Sequence, residues 1–172
     1  MHPDLQRALD DITRSVTGMT GEQMEARLPG KWSASEILEH LMLSFQASGA
    51  RLASAVDAGT PMARPGTWKE RLGAFVVVSL GYFPTGREAP EYVQPKGLKA
   101  PTIVDAARAA LVDFDAAAAR CAGRFGPGRK VTNHPILGPF SARQWRRFHR
   151  VHTRHHMKQV ARLRAARSDA AA

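Results

Sequence analysis

A helix-capping box, in which a serine or threonine precedes a glutamate or glutamine by three residues, marks three predicted helix starts in this sequence. They are Thr20 to Gln23, Ser33 to Glu36 and Ser141 to Gln144. Such a box satisfies two backbone N–H groups at a helix N-terminus that would otherwise lack partners. Each box therefore predicts where a helix begins, and helices with fixed starting points constrain the fold of this chain more than any other feature.

Apolar residues recur at helical spacing along four long segments of the chain. The spacing predicts amphipathic helices over residues 3–16, 33–57, 102–121 and from 141 to about 167. A shorter helix of one or two turns is expected after Thr20, ahead of Pro29. No strand is evident, and the residues between the third and fourth long helices are expected to form a loop.

Residues 67–83 admit two interpretations, because the β-branched run from Val76 to Val78 suits a buried strand as well as a helix. A helix is favoured, since no second strand is evident nearby to pair with it. Residues 84–101 contain four prolines and two glycines, and this irregular stretch is too long for an ordinary connector. The whole pattern predicts an all-α, up-and-down four-helix bundle with short extra helices and a long proline-rich loop.

A chain of 172 residues fits a single domain, here residues 1–172 with a frayed tail at 168–172. Cys121 is the one cysteine, so no intramolecular disulfide can form and a cytoplasmic location is expected. The amino terminus lacks the continuous apolar run of a signal peptide. The longest apolar run, residues 72–83, is shorter than the roughly 20 residues that a membrane span needs. The sequence therefore predicts no membrane partner.

The chain carries 25 Lys and Arg residues against 15 Asp and Glu, a formal net charge of +10, which raises the question of a nucleic-acid partner. On a helical wheel at about 100° per residue, the last helix places a stripe of arginines on one side. They are Arg143, Arg147, Arg150 and Arg154. No recognised nucleic-acid-binding motif accompanies the stripe, and such a stripe opposite the core is usually a solvated face. Nucleic acid is therefore a disfavoured partner.

Four of the seven histidines lie within eight positions of the last predicted helix. On the same wheel, His149, His152 and His156 share the side that carries the large apolar residues, whereas His155 lies on the flank. A buried imidazole nitrogen that lacks a hydrogen-bond partner costs about 1 to 3 kcal/mol. Several histidines on one inward patch therefore require an explanation.

His152 and His156 are four residues apart, the separation at which two imidazoles on adjacent turns can converge on one ion. His149 has no histidine four residues further on, and is a candidate neighbour of the ion or an alternative ligand. Two ligands from one helix rarely hold a divalent ion tightly. The hypothesis of a metal site therefore requires a third ligand from another part of the fold.

The remaining histidines differ in their suitability as a third ligand. His2 lies at the chain terminus and His134 lies in a Gly/Pro loop, where it can serve a turn. His40 lies inside the second long helix, at the edge of its apolar stripe, and is the best candidate. The alternative, that these are ordinary half-buried histidines, stays open at this level, because isolated pairs of this spacing are common in helices.

Two segments together resemble a known family. The segment WSASEILEH, from Trp32 to His40, resembles the W-S-x-x-E-x-x-x-H segment that opens the second helix of the DinB-like (YfiT-like) superfamily. The segment from His134 to Trp145, with the histidine run and Gln159 after it, is similar to the pattern of one branch of that superfamily. The resemblance extends over most of the chain, in the order of its helices.

This resemblance implies a four-helix bundle, commonly dimeric, with a metal site made by one histidine of the second helix and an HxxxH pair of the last. Matched by position, the ligands are His40, His152 and His156, the same three that the residue pattern favours. Members with known activities include thiol-dependent transferases and isomerases. The resemblance therefore implies a small-molecule substrate, a homodimer and a low-molecular-weight thiol as a second cofactor, but no particular reaction.

Three neutral imidazoles leave an open coordination position on Zn²⁺ or Ni²⁺, as in catalytic sites rather than closed structural ones. Such an ion lowers the pKa of a bound water or thiol and so supplies a nucleophile. Glu36 is a candidate to orient His40, with its capping-box role as the alternative. Gln159 faces the same side as His152 and is a candidate to hydrogen-bond a ligand histidine or a substrate, with polar packing in the interior as the alternative.

The function expected from these features is that of a metal-dependent enzyme, either a thiol transferase or a hydrolase. The first alternative is a non-catalytic bundle whose metal ion only stabilises a dimer. The second, less favoured, is a basic helical protein that binds nucleic acid through the arginine stripe of the last helix.

Overall fold

The computed structural model describes residues 1–84, 88–100 and 102–170, most of which are helical. The helices are α1 (Pro3–Val16), α2 (Gly21–Glu25), α3 (Ala34–Asp57), α4 (Trp68–Ala74), α5 (Thr102–Phe125) and α6 (Ala142–Ala170). A π-helical turn (Phe75–Ser79) continues α4, and one 3₁₀ turn (Glu91–Val93) lies in the proline-rich stretch. The predicted all-α fold class is confirmed.

All three predicted capping boxes are present at helix starts. Before α2 and α3, the side chain of Thr20 or Ser33 accepts the N–H of the residue three positions on, whose own side chain accepts in return. Ser141 makes the same exchange with Gln144 at the start of α6, at 3.2 and 3.3 Å. A fourth box, between Thr67 and Glu70, opens α4; it has the same spacing in the sequence but is not among the three predicted helix starts.

Residues 68–79 are helical throughout, so the favoured helix is confirmed for this part of the segment and the strand alternative is wrong. The helix ends at Ser79, four residues before the predicted end at Phe83. Val77 and Val78 are buried, whereas Trp68, Leu72 and Phe75 are exposed. The β-branched run is thus accommodated by a wider π turn, with its buried side facing the bundle. Helical turns of this kind are rare and often lie near functional parts of a protein.

A short antiparallel hairpin replaces the loop that the sequence predicts between the last two long helices. Its strands are β1 (Lys130–His134) and β2 (Gly138–Ser141), paired in register at His134 and Gly138. Nδ1 of His134 accepts the N–H groups of Ile136 and Leu137, each at 3.1 Å. This histidine therefore closes the hairpin turn. The prediction that this region contains no strand is wrong, because strands this short have too few residues for an alternating apolar pattern to be recognised.

The four long helices pack in two pairs, α3 against α5 and α1 against α6, and their apolar faces form one continuous core. Burying one large aliphatic or aromatic side chain contributes about 1.5 to 3 kcal/mol relative to leaving it exposed. The fully buried members of the core include Leu5, Ile12, Ile37, Leu41, Phe45, Ile103, Leu111, Phe114 and Phe140. This packing places the inward side of α6 directly opposite α3.

The wheel suggests that the arginine stripe of α6 is a solvated face. In the structure, α1 packs along part of the stripe. Arg150 forms an ion pair with Asp11, and both side chains are largely buried. Arg147 pairs with Asp4 at 3.5 Å. The amphipathic wheel of a single helix cannot show that a neighbouring helix supplies acidic partners to its basic side.

Two helices run further than predicted. α5 passes Gly123 and ends at Phe125, where Gly126 has a φ of +86° and its N–H bonds the carbonyl of Ala122 at 2.8 Å. α6 continues to Ala170, and residues 171 and 172 of the predicted tail lie outside the described residues. No helix among the described residues combines the length and the apolar character that crossing a bilayer requires.

Candidate metal centre

Three histidines from two helices meet in the interior of the bundle. His40 comes from α3, and His152 and His156 lie one turn apart on α6. Nε2 of His152 lies 3.1 Å from Nε2 of His40 and 3.0 Å from Nε2 of His156. All three residues are buried, and within the described chain they are the one group of histidine, cysteine or acidic side chains that could share an ion.

Aromatic rings enclose these imidazoles. Phe83 and Phe148 both lie nearly parallel to the ring of His152, with centroids 5.1 and 5.2 Å from it. The indole of Trp32 lies 5.2 Å from the ring of His40. The site therefore has an apolar wall that keeps water from most of its surface and lowers the local dielectric constant.

Hydrogen bonds to Nδ1 set the tautomers of two of the three rings. Nδ1 of His40 lies 2.8 Å from the main-chain carbonyl oxygen of Val93, which can only accept. Nδ1 of His156 lies 2.8 Å from Oε1 of Gln159, which likewise accepts. Both Nδ1 atoms therefore carry the proton of a neutral ring, and both Nε2 atoms present a lone pair to the third histidine.

His152 cannot satisfy both of those lone pairs. If its proton is on Nε2, it can donate to one neighbour only, and the other faces it without a proton between them. If the proton is on Nδ1, three lone pairs face one another, and Nδ1 is buried with no hydrogen-bond partner among the described residues. In either tautomer at least one Nε2 lone pair has no hydrogen-bond donor. A cation bound among the three Nε2 atoms would interact favourably with these lone pairs.

The spacing of the three nitrogens also suits a metal ion. With Zn–N bonds of about 2.0 to 2.1 Å, two ligands at a tetrahedral angle lie roughly 3.3 Å apart. The contacts between Nε2 atoms, 3.0 and 3.1 Å, are close to that value. Neutral imidazole is a common ligand of zinc and nickel. The donor set therefore fits a divalent ion of this kind.

Burial keeps these rings uncharged. Burial, together with a smaller effect of the nearby His40, lowers the pKa of His156 to about 3, against an opposing effect of the hydrogen bond with Gln159. Burial also lowers the pKa of His152 well below its usual value and lowers that of His40, although the Val93 carbonyl raises the latter. At neutral pH all three are in the uncharged form that coordinates metals.

Gln159 is placed beside the triad, as the sequence suggests. Besides accepting from His156, its Nε2 lies 3.2 Å from Nε2 of His155 and donates to it. The two contacts fix the orientation of the amide. His155 is half-buried and lies on the flank of α6, with no direct contact to His40. It contacts the triad at the ring of His156, with centroids 5.2 Å apart, and through Gln159.

His149 is buried in a separate part of the core. Its Nε2 lies 2.7 Å from the hydroxyl of Ser48, and its ring packs against Phe114 with centroids 4.4 Å apart. Burial lowers its pKa to about 3. Within the described residues no hydrogen bond joins it to the triad, so the structure does not bring it to the candidate ion.

Glu36 is engaged at the start of α3 rather than with His40. Its carboxylate accepts the N–H of Ser33 at 2.9 Å and pairs with the guanidinium of Arg27 at 2.5 and 2.8 Å. No hydrogen bond to His40 is present in the described part of the chain. These contacts are those of the capping box, the alternative role that the sequence allows.

Two groups at the site are not evident from the sequence. One is the carbonyl of Val93, and the other is the carboxylate of Glu39, which accepts N–H groups from Lys96, Gly97 and Leu98, each at 2.9 Å. Main-chain groups leave no side-chain pattern to recognise. The one signal available is an acidic residue directly before His40, on the inward half of α3.

These features define a class of protein, a helix bundle whose interior holds a histidine triad that could bind a metal ion. The model of the DinB superfamily matches residues 4–160, and the chain belongs to this superfamily. The match includes both helices that supply the histidines. No curated protein and no solved structure matches the chain.

Proposed function

We propose that this protein binds one divalent metal ion, Zn²⁺ or Ni²⁺, through Nε2 of His40, His152 and His156, and that it is a metal-dependent enzyme. The observation that carries the proposal is the convergence of three buried Nε2 atoms, two of which present lone pairs because their Nδ1 atoms donate to oxygen. Such a cluster is costly without a cation and favourable with one.

The protein groups around the triad have separate tasks in this proposal. The carbonyl of Val93 and the amide of Gln159 hold two rings with Nε2 directed inward. Phe83 and Phe148 pack beside the third ring and beside each other, and shield it from water. With three protein ligands, a bound ion would act as a Lewis acid that lowers the pKa of a water or thiol in its open position.

We place the reaction among thiol-dependent transfers or hydrolyses of a small-molecule substrate. Both need a nucleophile that is deprotonated near neutral pH, which is what an open three-histidine site provides. A low-molecular-weight thiol is the cofactor that the transferase reaction would require. A cytoplasmic location is part of the proposal and is supported by the single, buried and unpaired cysteine, Cys121.

The test is the metal content of untagged protein after loading with zinc or nickel and removal of excess ion. We expect about one ion per chain in the wild type, as for other three-histidine sites, and none in His152→Ala. The control is His2→Ala, which removes a histidine whose ring accepts the N–H of Asp4 at the start of α1 and leaves the triad and Gln159 intact. Wild-type protein that retains no metal would refute the proposal.

A second candidate is a homodimeric bundle in which the metal ion has only a structural role. It is favoured by the exposure of three large apolar side chains along α4 and the π turn, Trp68, Leu72 and Phe75, at 70%, 55% and 54%. Light scattering with and without a chelator tests it. A dimer that dissociates on chelation, with no turnover of thiol acceptors or esters, would favour this candidate, whereas any metal-dependent turnover favours the enzyme.

A further inference from the structure

The proline-rich loop is attached to α3 at two neighbouring residues, Glu39 and His40. The carboxylate of Glu39 is 1% exposed and has no cationic partner among the described side chains. It is satisfied by three consecutive main-chain donors, the N–H groups of Lys96, Gly97 and Leu98, each at 2.9 Å. A carboxylate this deeply buried would be very costly without them.

The loop is shaped to make this contact. Consecutive N–H groups converge on one anion only when the backbone turns sharply between them, and here Gly97 provides the turn with a φ of +95°. A residue with a Cβ atom adopts such a φ only with strain. A buried carboxylate bound by a loop that has a glycine at positive φ indicates that the loop is specifically anchored to α3 at Glu39.

The same short loop also sets the orientation of a candidate metal ligand. Val93, three residues before Lys96, is buried, and its carbonyl accepts from Nδ1 of His40 at 2.8 Å. A main-chain carbonyl in an irregular segment has no helix or strand to fix its position. Its position therefore depends on the tertiary contacts of that segment. The carboxylate of Glu39 and the imidazole of His40 therefore depend on one piece of backbone, residues 93–98.

We propose that Glu39 is a positioning residue of the metal centre. By anchoring residues 93–98 it keeps the Val93 carbonyl on Nδ1 of His40, and so keeps the proton off the Nε2 atom that faces His152. This inference rests on the proposed metal site and adds that loop docking and metal binding are coupled. Because coupling is reciprocal, the bound ion strengthens the docking of the loop.

Two substitutions test the anchor from its two sides. Glu39→Gln keeps the shape of the side chain but replaces one accepting oxygen with an NH₂ group. At least one N–H of the loop then faces another donor and loses its acceptor. Gly97→Ala introduces strain at positive φ, although no heavy atom lies within 4 Å of the added Cβ. Neither substitution changes a histidine of the triad.

Matched controls separate this effect from a general loss of stability. Gly18→Ala places a Cβ at a φ of +77°, again with nothing within 4 Å, in the connection between α1 and α2. Asp115→Asn alters a carboxylate that also accepts a main-chain N–H from a distant segment, that of His2 at 2.9 Å. It is the more severe control, because this carboxylate also pairs with Arg146 at 3.2 Å. Among the described residues, neither Gly18 nor Asp115 forms a hydrogen bond with the proline-rich loop or the triad.

The first readout is zinc affinity, measured by competition with a chromophoric chelator. We expect Glu39→Gln and Gly97→Ala each to weaken zinc binding by about 10- to 100-fold, as the loss of a hydrogen-bond partner of a metal ligand does. Both controls are expected to bind zinc as the wild type does. Hydrogen exchange of residues 94–98 should be faster in the two anchor variants and slower in the wild type once zinc is added.

The second readout needs no metal. In metal-free wild type, ¹⁵N spectra should show His40 protonated on Nδ1, and in Glu39→Gln a mixture of tautomers. Unchanged zinc affinity in both anchor variants, despite faster loop exchange, would overturn the positioning role and leave the metal site standing. Equal weakening in the controls would overturn it too, whereas wild type without zinc affinity would refute the proposed function itself.

Discussion

Oε1 of Gln159 accepts a hydrogen bond from Nδ1 of His156 at 2.8 Å, one turn along α6. The contact determines which nitrogen of His156 carries the proton, and the second contact of the same amide, to His155, keeps its oxygen turned towards the triad. An uncharged side chain that touches no ion thus controls the lone pair of a candidate ligand. Its role can be separated from that of the ligand by substitution.

We expect Gln159→Leu to weaken zinc binding by about 10- to 100-fold, because His156 then loses the acceptor that holds its tautomer and its ring orientation. The measurement is a competition titration against a chelator. Gln159→Glu is the matched variant, since its carboxylate keeps an acceptor for Nδ1 and should bind zinc nearly as well as the wild type. Equal losses in the two variants would show that the hydrogen bond is not what matters.

The long helices were predictable because their signals are local. A capping box and an apolar stripe each involve residues within a few positions of one another, so α3 and α6 could be given their starting points from the sequence. The DinB-like resemblance, now supported by the family match over residues 4–160, rests on the same two helices. The hairpin was missed because its strands have five and four residues, too few for an alternating pattern to emerge.

The site was only partly predictable, for a related reason. Helical spacing alone singles out His152 and His156, and the inward face of the second helix singles out His40. The partners that orient them were harder to find. Val93 contributes a main-chain carbonyl from a loop 53 residues away from His40, and Glu39 binds main-chain N–H groups of the same loop. Contacts of this kind depend on the tertiary path of the chain.

Removing the metal ion should destabilise the protein. An ion that binds only the folded chain raises the free energy of unfolding by about 2.7 kcal/mol when it is present at 100 times its dissociation constant. For a chain of this size, that corresponds to roughly 5 to 10 °C in melting temperature. We expect that difference between zinc-loaded and chelator-treated wild type by calorimetry. His152→Ala should melt at the same temperature in both conditions, and a chelator effect of equal size there would contradict a site at the triad.

Acid should destabilise the metal-free protein through its buried histidines, including two that lie outside the triad. Burial lowers the pKa of His149 to about 3 and that of His134 to about 4, with smaller contributions from His134 and Arg51 respectively. Both pKa values lie below the ordinary histidine pKa of about 6.5, so the unfolded chain binds more protons than the folded one between these limits. The free energy of unfolding should therefore be fully retained above pH 6.5 and fall as the pH is lowered towards 4, as urea titrations at several pH values would show.

The contribution of one of these histidines can be isolated. His149→Phe keeps an aromatic ring against Phe114 and removes the titrating group, so the free energy of unfolding should fall less steeply with acid, by about 1.4 kcal/mol per pH unit. Phe114→Leu is the control, since it weakens the same cluster without removing a proton site. It should lower the stability at every pH and leave the slope unchanged. A slope that stays the same in His149→Phe would show that His149 does not titrate on unfolding.

Nucleic acid should not bind to the arginine stripe of α6, because α1 already supplies acidic partners to two of its four arginines. Arg150 pairs with Asp11 and Arg147 pairs with Asp4, so neither guanidinium can turn to a phosphate without breaking an ion pair. Fluorescence anisotropy with a labelled duplex at low ionic strength should therefore detect negligible affinity, even for a chain with a net charge of +10. Asp4→Asn/Asp11→Asn releases both arginines and is expected to bind DNA measurably, with an affinity that falls steeply as salt is added. Tight, salt-sensitive binding by the wild type would instead show that the ion pairs with α1 give way to phosphate.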